Sequence, residues 1–251
     1  MSKRQMLLYL IPIICLTLLV IIVFIIYYQP RAAIFLLSKI YSNVLFYVDL
    51  PSNLRYISLT IDDFPNPDDL SVSFEILDLL RLYNAKCTFF IIGSHVKKYE
   101  NSLEIQNLFE CLKTDGHEIG NHGWRDERAV SLSADELKRQ IIETENIIRN
   151  HTNIFEKKWF RPGSGLFNQA MIRLCSTLGY RLVLGSIYSH DPQIRNPTLN
   201  SYFIESKLHS GGIVILHDRL ITIQTLQKVL PAIQRKHFQI VTLTKLVDLN
   251  R

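Results

Sequence analysis

Leu59-Thr60-Ile61-Asp62-Asp63 reads as the tip of a β-strand that begins near Arg55 and closes on two adjacent carboxylates. Apolar and β-branched residues suit a pleated, half-buried surface and aspartate does not, so the change of residue type marks the strand end. Four further polar runs follow: Gly116-His117-Glu118-Ile119-Gly120-Asn121-His122, Phe160-Arg161-Pro162-Gly163-Ser164-Gly165, His190-Asp191-Pro192 and Ile215-Leu216-His217-Asp218. Each stands where a strand-like segment runs out. Strand-like segments cover 55–61, 86–92, 118–120, 159–161, 181–184, 212–216 and 239–242, and helical periodicity fills 71–83, 103–113, 134–148, 168–178, 199–208 and 221–235. Ser133 can cap one of these helices and Glu136 can complete a capping box. Such alternation implies parallel strands joined by right-handed crossovers. A doubly wound sheet shares it but gathers its functional residues at one crevice, whereas here they recur at nearly every strand end. The expected fold is α/β, a distorted (β/α) barrel of about seven parallel strands preceded by one N-terminal transmembrane helix.

That helix is read from Leu7 to Tyr28, an apolar run without a charge. At about 1.5 Å per residue it spans about 33 Å, enough to cross a bilayer core. A cleaved signal peptide has a shorter apolar region and a small-residue cleavage site, and Tyr27-Tyr28-Gln29-Pro30-Arg31 offers none. Lys3, Arg4 and the terminal amine precede the run, so a cytoplasmic N-terminus is expected, with the rest of the chain lumenal or extracellular. The expected organisation is a stub and signal anchor over 1–31, a connector over 32–53, partly helical over 33–47, and one catalytic domain over 54–251.

The formal charge is +5, of which Lys3, Arg4 and Arg31 supply three, leaving +2 beyond the anchor. Basic residues are interspersed with acidic ones, which excludes a nucleic-acid-binding stripe, and no protein partner is indicated. Cys15, Cys87, Cys111 and Cys175 show no CxxC spacing, so zinc–thiolate chemistry is not expected. Asn150-His151-Thr152 is an N-glycosylation sequon, with Asn150 the candidate acceptor.

In their order and spacing, the five polar runs resemble the polysaccharide deacetylase family (NodB homology domain, carbohydrate esterase family 4), over roughly residues 54–245. Lys86–Gly93, reading KCTFFIIG, resembles that family's second-strand segment. The resemblance implies a metal-dependent N-deacetylase that releases acetate from a GlcNAc-containing glycan, with chitin-like oligomers first and peptidoglycan next. It makes Asp62 the general base, Asp63 and His122 metal ligands, Arg161 the group holding Asp62, and His217 the general acid. The backbone N–H of Ser164 becomes an oxyanion donor, Leu216 lines the acetyl-methyl pocket, and Gly163 lets the sugar approach. Asp191 orients His217 or Arg161. One divalent ion is implied, zinc first, with manganese, iron or cobalt as alternatives.

The chain departs from that pattern at three places. The family's H-x-x-x-H places histidine where this chain has Asp126, which either serves as an oxygen ligand or pairs with Arg125 or Arg128. Arg161-Pro162-Gly163-Ser164-Gly165 stands for R-P-P-x-G, and no tryptophan follows Asp191 closely. Two other readings therefore stand beside deacetylation: a weakened or inactive glycan-binding relative, and an amidase or esterase acting on a non-sugar substrate. His117 precedes its short strand and is not read as a ligand.

Overall fold

The computed structural model describes residues 3–152 and 157–250; the terminal amine of the stub lies outside them. The chain divides into two units, 1–41 and 42–251.

The first unit is helical. Helix α1 (Lys3–Tyr28) contains Leu10–Tyr28, a stretch of 19 residues with mean hydropathy 3.2, long and apolar enough to cross a membrane. Helix α2 (Arg31–Ile40) follows Pro30. The helix expected over 33–47 stops short because Val44 and Leu45 are claimed by a sheet: as strand β1 (Val44–Leu45) they pair with Leu182 and Val183 and are buried.

The second unit alternates strand and helix. In chain order it contains β2 (Tyr56–Phe64), α3 (Leu70–Leu82), β3 (Thr88–Ile91), α4 (Gly93–Lys98), α5 (Leu103–Thr114), β4 (Glu118–Asn121) and α6 (Ala134–His151). Then come β5 (Trp159–Phe160), α7 (Gln169–Thr177), β6 (Arg181–Val183), β7 (Ile187–Tyr188), α8 (Pro197–Lys207), β8 (Ile213–His217), α9 (Leu220–Arg235), β9 (Gln239–Ile240) and α10 (Leu243–Asp248). Side-chain caps start most of the helices: Asp69 for α3, Ser102 for α5, Ser133 for α6, Asn168 for α7, Asn196 for α8 and Thr242 for α10. Each satisfies a backbone N–H that the helix geometry leaves unpaired. At α6 only half of the expected capping box forms. The Ser133 hydroxyl accepts from Glu136 N at 3.2 Å, but the Glu136 carboxylate is drawn away to Arg139 and Gln140.

All strand pairs are parallel, in the order β1-β6-β5-β4-β3-β2-β8-β7, with β9 also beside β2. This order forces curvature. Strands β6 and β7 stand near opposite ends of the path, about 29 Å apart if the sheet were flat at about 4.8 Å per strand. Yet only residues 184–186 join them, a link that reaches about 14 Å. The sheet must therefore roll until its two ends meet at 184–186. The result is a curled, parallel-stranded half-barrel, as the alternation predicts, with β1 and β7 as short strands that periodicity alone is too weak to reveal.

Phe90, Trp159, Val183, Leu45 and Ile213 are buried in one apolar cluster, joined by Leu243 and Leu246 of α10. At the amino end of the strands, Glu118 accepts from Thr88 Oγ1 at 2.8 Å, Trp159 Nε1 at 3.0 Å and Thr244 N at 3.1 Å, tying β3, β4, β5 and α10 together. Gly211 sews the seam: its N–H donates to Tyr56 O at 2.8 Å, its carbonyl accepts from Val48 N at 2.9 Å, and its φ is +76°. A Cβ there would lie 1.7 Å from the Val48 carbonyl oxygen. Gly211→Ala is therefore expected to lower stability by about 2–4 kcal/mol, from the positive φ and the backbone displacement together, measured by denaturant unfolding.

Candidate active site

The strand ends bring together groups from β2, β4, β5, β8 and the segment after β7. Strand alternation puts Thr60 and Asp62 on one face of β2, and both meet the buried Arg161 that follows β5. Its Nη1 donates to Thr60 Oγ1 at 2.7 Å and Asp62 Oδ1 at 2.6 Å. Nη2 donates to Leu184 O at 2.7 Å and Nε to Val183 O at 3.4 Å. The guanidinium lies over the Phe90 ring, 4.1 Å from its centroid. It therefore stands between β2 and the seam at 183–184. Burial works against its charge, and the Asp62 carboxylate opposes that loss.

An extended strand would send Asp63 to the opposite face from Asp62. The structure departs from that expectation. Asp63 has φ +61°, and the β2–β3 register slips between Ile61 and Phe64. This bulge turns Asp63 back, so that one imidazole meets both carboxylates: His122 Nε2 is 3.5 Å from Asp63 Oδ1 and 3.9 Å from Asp62 Oδ2. His122 Nδ1 donates to the Arg161 carbonyl at 2.7 Å, which fixes the ring. Burial would keep His122 neutral, but Asp62 and Asp63 outweigh it and raise its pKa. Burial pushes the Asp63 carboxyl up, whereas His122, His217 and Arg219 together hold it well below the ordinary range.

His217 closes β8 in register with Asp62. Its Nδ1 donates to Asp191 Oδ1 at 3.0 Å and its backbone N–H to Asp191 Oδ2 at 3.0 Å. Asp191 also accepts from Thr222 Oγ1 at 3.2 Å and from the Ser189 hydroxyl. Of the two partners read for Asp191, the structure gives it His217. Burial opposes charge on His217, but Asp191, Asp63 and Asp62 prevail and raise it to about 9.

The remaining sequence-read residues lie around this centre. Gly163 and Ser164 form a tight turn after Arg161, Ser164 exposed with φ +66°. A Cβ on Gly163 would sit 2.1 Å from the Glu127 carbonyl oxygen, so glycine is required where this turn packs on the 122–128 loop. Leu216 is fully buried beside Ile61. Asp126 is exposed on the 122–128 loop, and among the described residues it makes no ion pair with Arg125 or Arg128. Asn150 is exposed in the last turn of α6. His117 lies at the start of β4, away from the carboxyl ends. Burial drives it to about 4, and its Nδ1 accepts from Cys87 N at 3.1 Å.

Three contributors escaped the sequence reading. Arg219 donates from Nη2 to Asp63 Oδ2 at 3.1 Å, and its place directly after His217-Asp218 was the available signal. Tyr188 of β7 sets its ring edge-on to His217, centroids 5.8 Å apart. Asp218 donates its N–H to Asp62 O at 2.9 Å and accepts from the Ser73 hydroxyl. Burial raises its carboxyl to about 7.

The donor chemistry suits a divalent cation at one pair. Donor atoms about 2.1 Å from a shared ion lie about 3.0–3.4 Å apart, close to the 3.5 Å between His122 Nε2 and Asp63 Oδ1. Backbone anchoring of the other imidazole nitrogen is the usual support for a ligating histidine. Asp62 lies nearby but is held by Arg161, and among the described residues no group of three or more His, Cys, Asp or Glu is arranged to hold a metal ion.

A curled parallel sheet with paired carboxylates, a buried arginine and carboxylate-supported histidine at its carboxyl end defines a hydrolase-type site. The chain belongs to the polysaccharide deacetylase family, whose model matches residues 50–183. It is 31% identical over 205 residues to a peptidoglycan-N-acetylglucosamine deacetylase of Bacillus cereus, covering 79% of this chain and 91% of that one. Among solved structures, a family 4 acetyl xylan esterase from Clostridium thermocellum, in complex with a cobalt ion, superposes with TM-score 0.67 at 26% identity, covering 77% of this chain and 91% of that chain. A CE4 family pseudoenzyme from Bacillus anthracis shares the fold with TM-score 0.71 at 22% identity, covering 82% and 69%.

Arg161→Met, which keeps bulk but strands the Asp62 carboxylate, is expected to lower stability by about 3–5 kcal/mol, as breaking a buried ion pair from one side does. Thermal and denaturant unfolding measure it.

Proposed function

We propose that the protein removes N-acetyl groups from GlcNAc-containing glycan, releasing acetate and leaving a free amine on the sugar. The observation that carries this reading is a base and an acid, each separately anchored by a charged partner, set side by side at the ends of the paired strands β2 and β8. Asp62 is fixed through one oxygen by Arg161, leaving Oδ2 to take a proton from water. His217 is fixed through Nδ1 by Asp191, leaving Nε2 to deliver a proton to the departing nitrogen. Asp63 and His122 would hold a divalent ion, which when bound supplies Lewis-acid polarisation of the amide carbonyl. The Ser164 N–H and Leu216 retain their proposed parts, oxyanion donor and acetyl-pocket wall. Peptidoglycan now leads chitin as the proposed polymer, because the Bacillus cereus relative is named for peptidoglycan. The apolar α1 supports a signal anchor with the catalytic unit, proposed over 54–251, outside the cytoplasm.

Mass spectrometry of N-acetylated peptidoglycan fragments and chitooligosaccharides, incubated with the full chain and added divalent metal, is expected to show acetyl loss. Asp62→Asn and His217→Ala should each reduce the rate by about 10²–10⁴-fold. No acetyl loss with either substrate would remove the proposal.

The rate should also fall on the alkaline side as His217 loses its proton near pH 9. The sign follows from the partner: Asp191 raises the imidazole, so Asp191→Asn should move that limb to lower pH. An unmoved limb would assign it to another group.

Asp126 is a proposed third ligand on the resemblance alone, and its exposed placement away from the Asp63–His122 pair lends that part no support. Cobalt titration is expected to show less than about a threefold change for Asp126→Ala and a loss beyond about a hundredfold for His122→Ala, since groups that merely support a ligand are themselves worth about 10–100-fold.

A further inference from the structure

Arg219 stands at the N-cap of α9, where a side chain ordinarily accepts a backbone N–H, yet its own side chain caps nothing. Its guanidinium extends instead to Asp63, with Nη2 3.1 Å from Oδ2, while the other Asp63 oxygen faces His122 Nε2 at 3.5 Å. Asp63 is thus bracketed by an imidazole on the inner side and a permanent cation on the outer side. The two partners differ in accessibility: the Asp63 side chain is 9% exposed and that of Arg219 40%.

A divalent ion shared by His122 Nε2 and Asp63 Oδ1 would lie about 2.1 Å from that oxygen, and so within about 7 Å of the guanidinium on Oδ2. Charges of +2 and +1 at such a separation repel, even through a partly solvated path. Moving Arg219 away is easy for this side chain. It is long, partly solvated, and among the described residues its one hydrogen-bond and ion-pair partner is Asp63.

We propose that Arg219 is an internal electrostatic competitor for a cation at Asp63: it balances that carboxylate from Oδ2, and its charge opposes the entry of a divalent ion at Oδ1. Metal affinity is then set partly by an arginine that donates nothing to the ion. The inference rests on the reading of Asp63 and His122 as metal donors, and goes beyond it by naming what opposes loading.

The test is cobalt binding, followed by calorimetry and visible absorption, on the full chain in detergent after stripping with a chelator. Arg219→Gln is expected to bind cobalt about tenfold more tightly than the parent, the scale of removing one neighbouring charge. Arg219→Lys, with its charge on a shorter and less directional group, should fall between them. Arg173→Gln, the same charge change at an exposed position on α7, should bind as the parent does. His122→Ala should abolish binding in both the parent and the Arg219→Gln background. Equal or weaker binding by Arg219→Gln, with the His122 dependence intact, overturns the competitor role alone. No cobalt binding by parent or variant, or binding indifferent to His122, overturns the donor reading and this inference with it.

Discussion

The buried pairing of Arg161 with Asp62 is the interaction on which the rest of this structure depends. A guanidinium 2% exposed is affordable only where its donors are met, and here they are met by Thr60, Asp62 and the carbonyls of Val183 and Leu184. Those partners belong to β2 and to the point where the two ends of the rolled sheet come together. One side chain therefore holds the barrel's curvature and the orientation of the proposed base. Phe90 supports it from below by a cation–π contact, so the apolar cluster and the polar centre share a boundary at this residue.

The second constraint is conformational. Two neighbouring residues of a regular strand cannot both reach one imidazole, and Asp62 and Asp63 do so through the left-handed backbone of Asp63. Aspartate tolerates that conformation better than most residues, and the cost of keeping it is met by fixed partners. The Asp63 carbonyl accepts from His95 Nδ1 at 3.0 Å, and its carboxylate meets His122 and Arg219. The centre is thereby balanced locally, with Arg161 against Asp62, His122 and Arg219 against Asp63, and His217 against Asp191. Positive and negative groups alternate across a small volume, which is how three carboxylates coexist in a region that water scarcely reaches.

Much of this was legible in the sequence because its determinants are local. The Ser133 cap, strand runs such as Thr88–Ile91, and polar residues at strand tips announce themselves by residue type and spacing. What stayed hidden depends on contacts between distant segments. Val44–Leu45 and Ile187–Tyr188 are too short for a period to be read, and are strands only because β6 and β8 offer open edges. The convergence of Asp62 and Asp63 needed the bulge. Glu136 carried a capping-box spacing but found stronger cationic company in Arg139. Asp126 was placed by analogy with a histidine pattern, and nothing in its neighbours along the chain fixes whether the 122–128 loop turns it inward.

The arrangement around His217 also bears on which bond is cut. An ester can expel an alkoxide of moderate basicity, whereas an amide nitrogen is a far poorer leaving group until it is protonated. Amide hydrolysis therefore demands an acid that remains charged at working pH and is aimed at the departing atom. Asp191 provides both conditions: it raises His217 to about 9 and holds Nδ1 so that the proton available for delivery resides on Nε2. Thr222 and Ser189 in turn hold Asp191, so the acid's direction is set by a chain of side chains rather than by one contact. On the proposed roles, an acid so held beside a base so held suits a departing nitrogen.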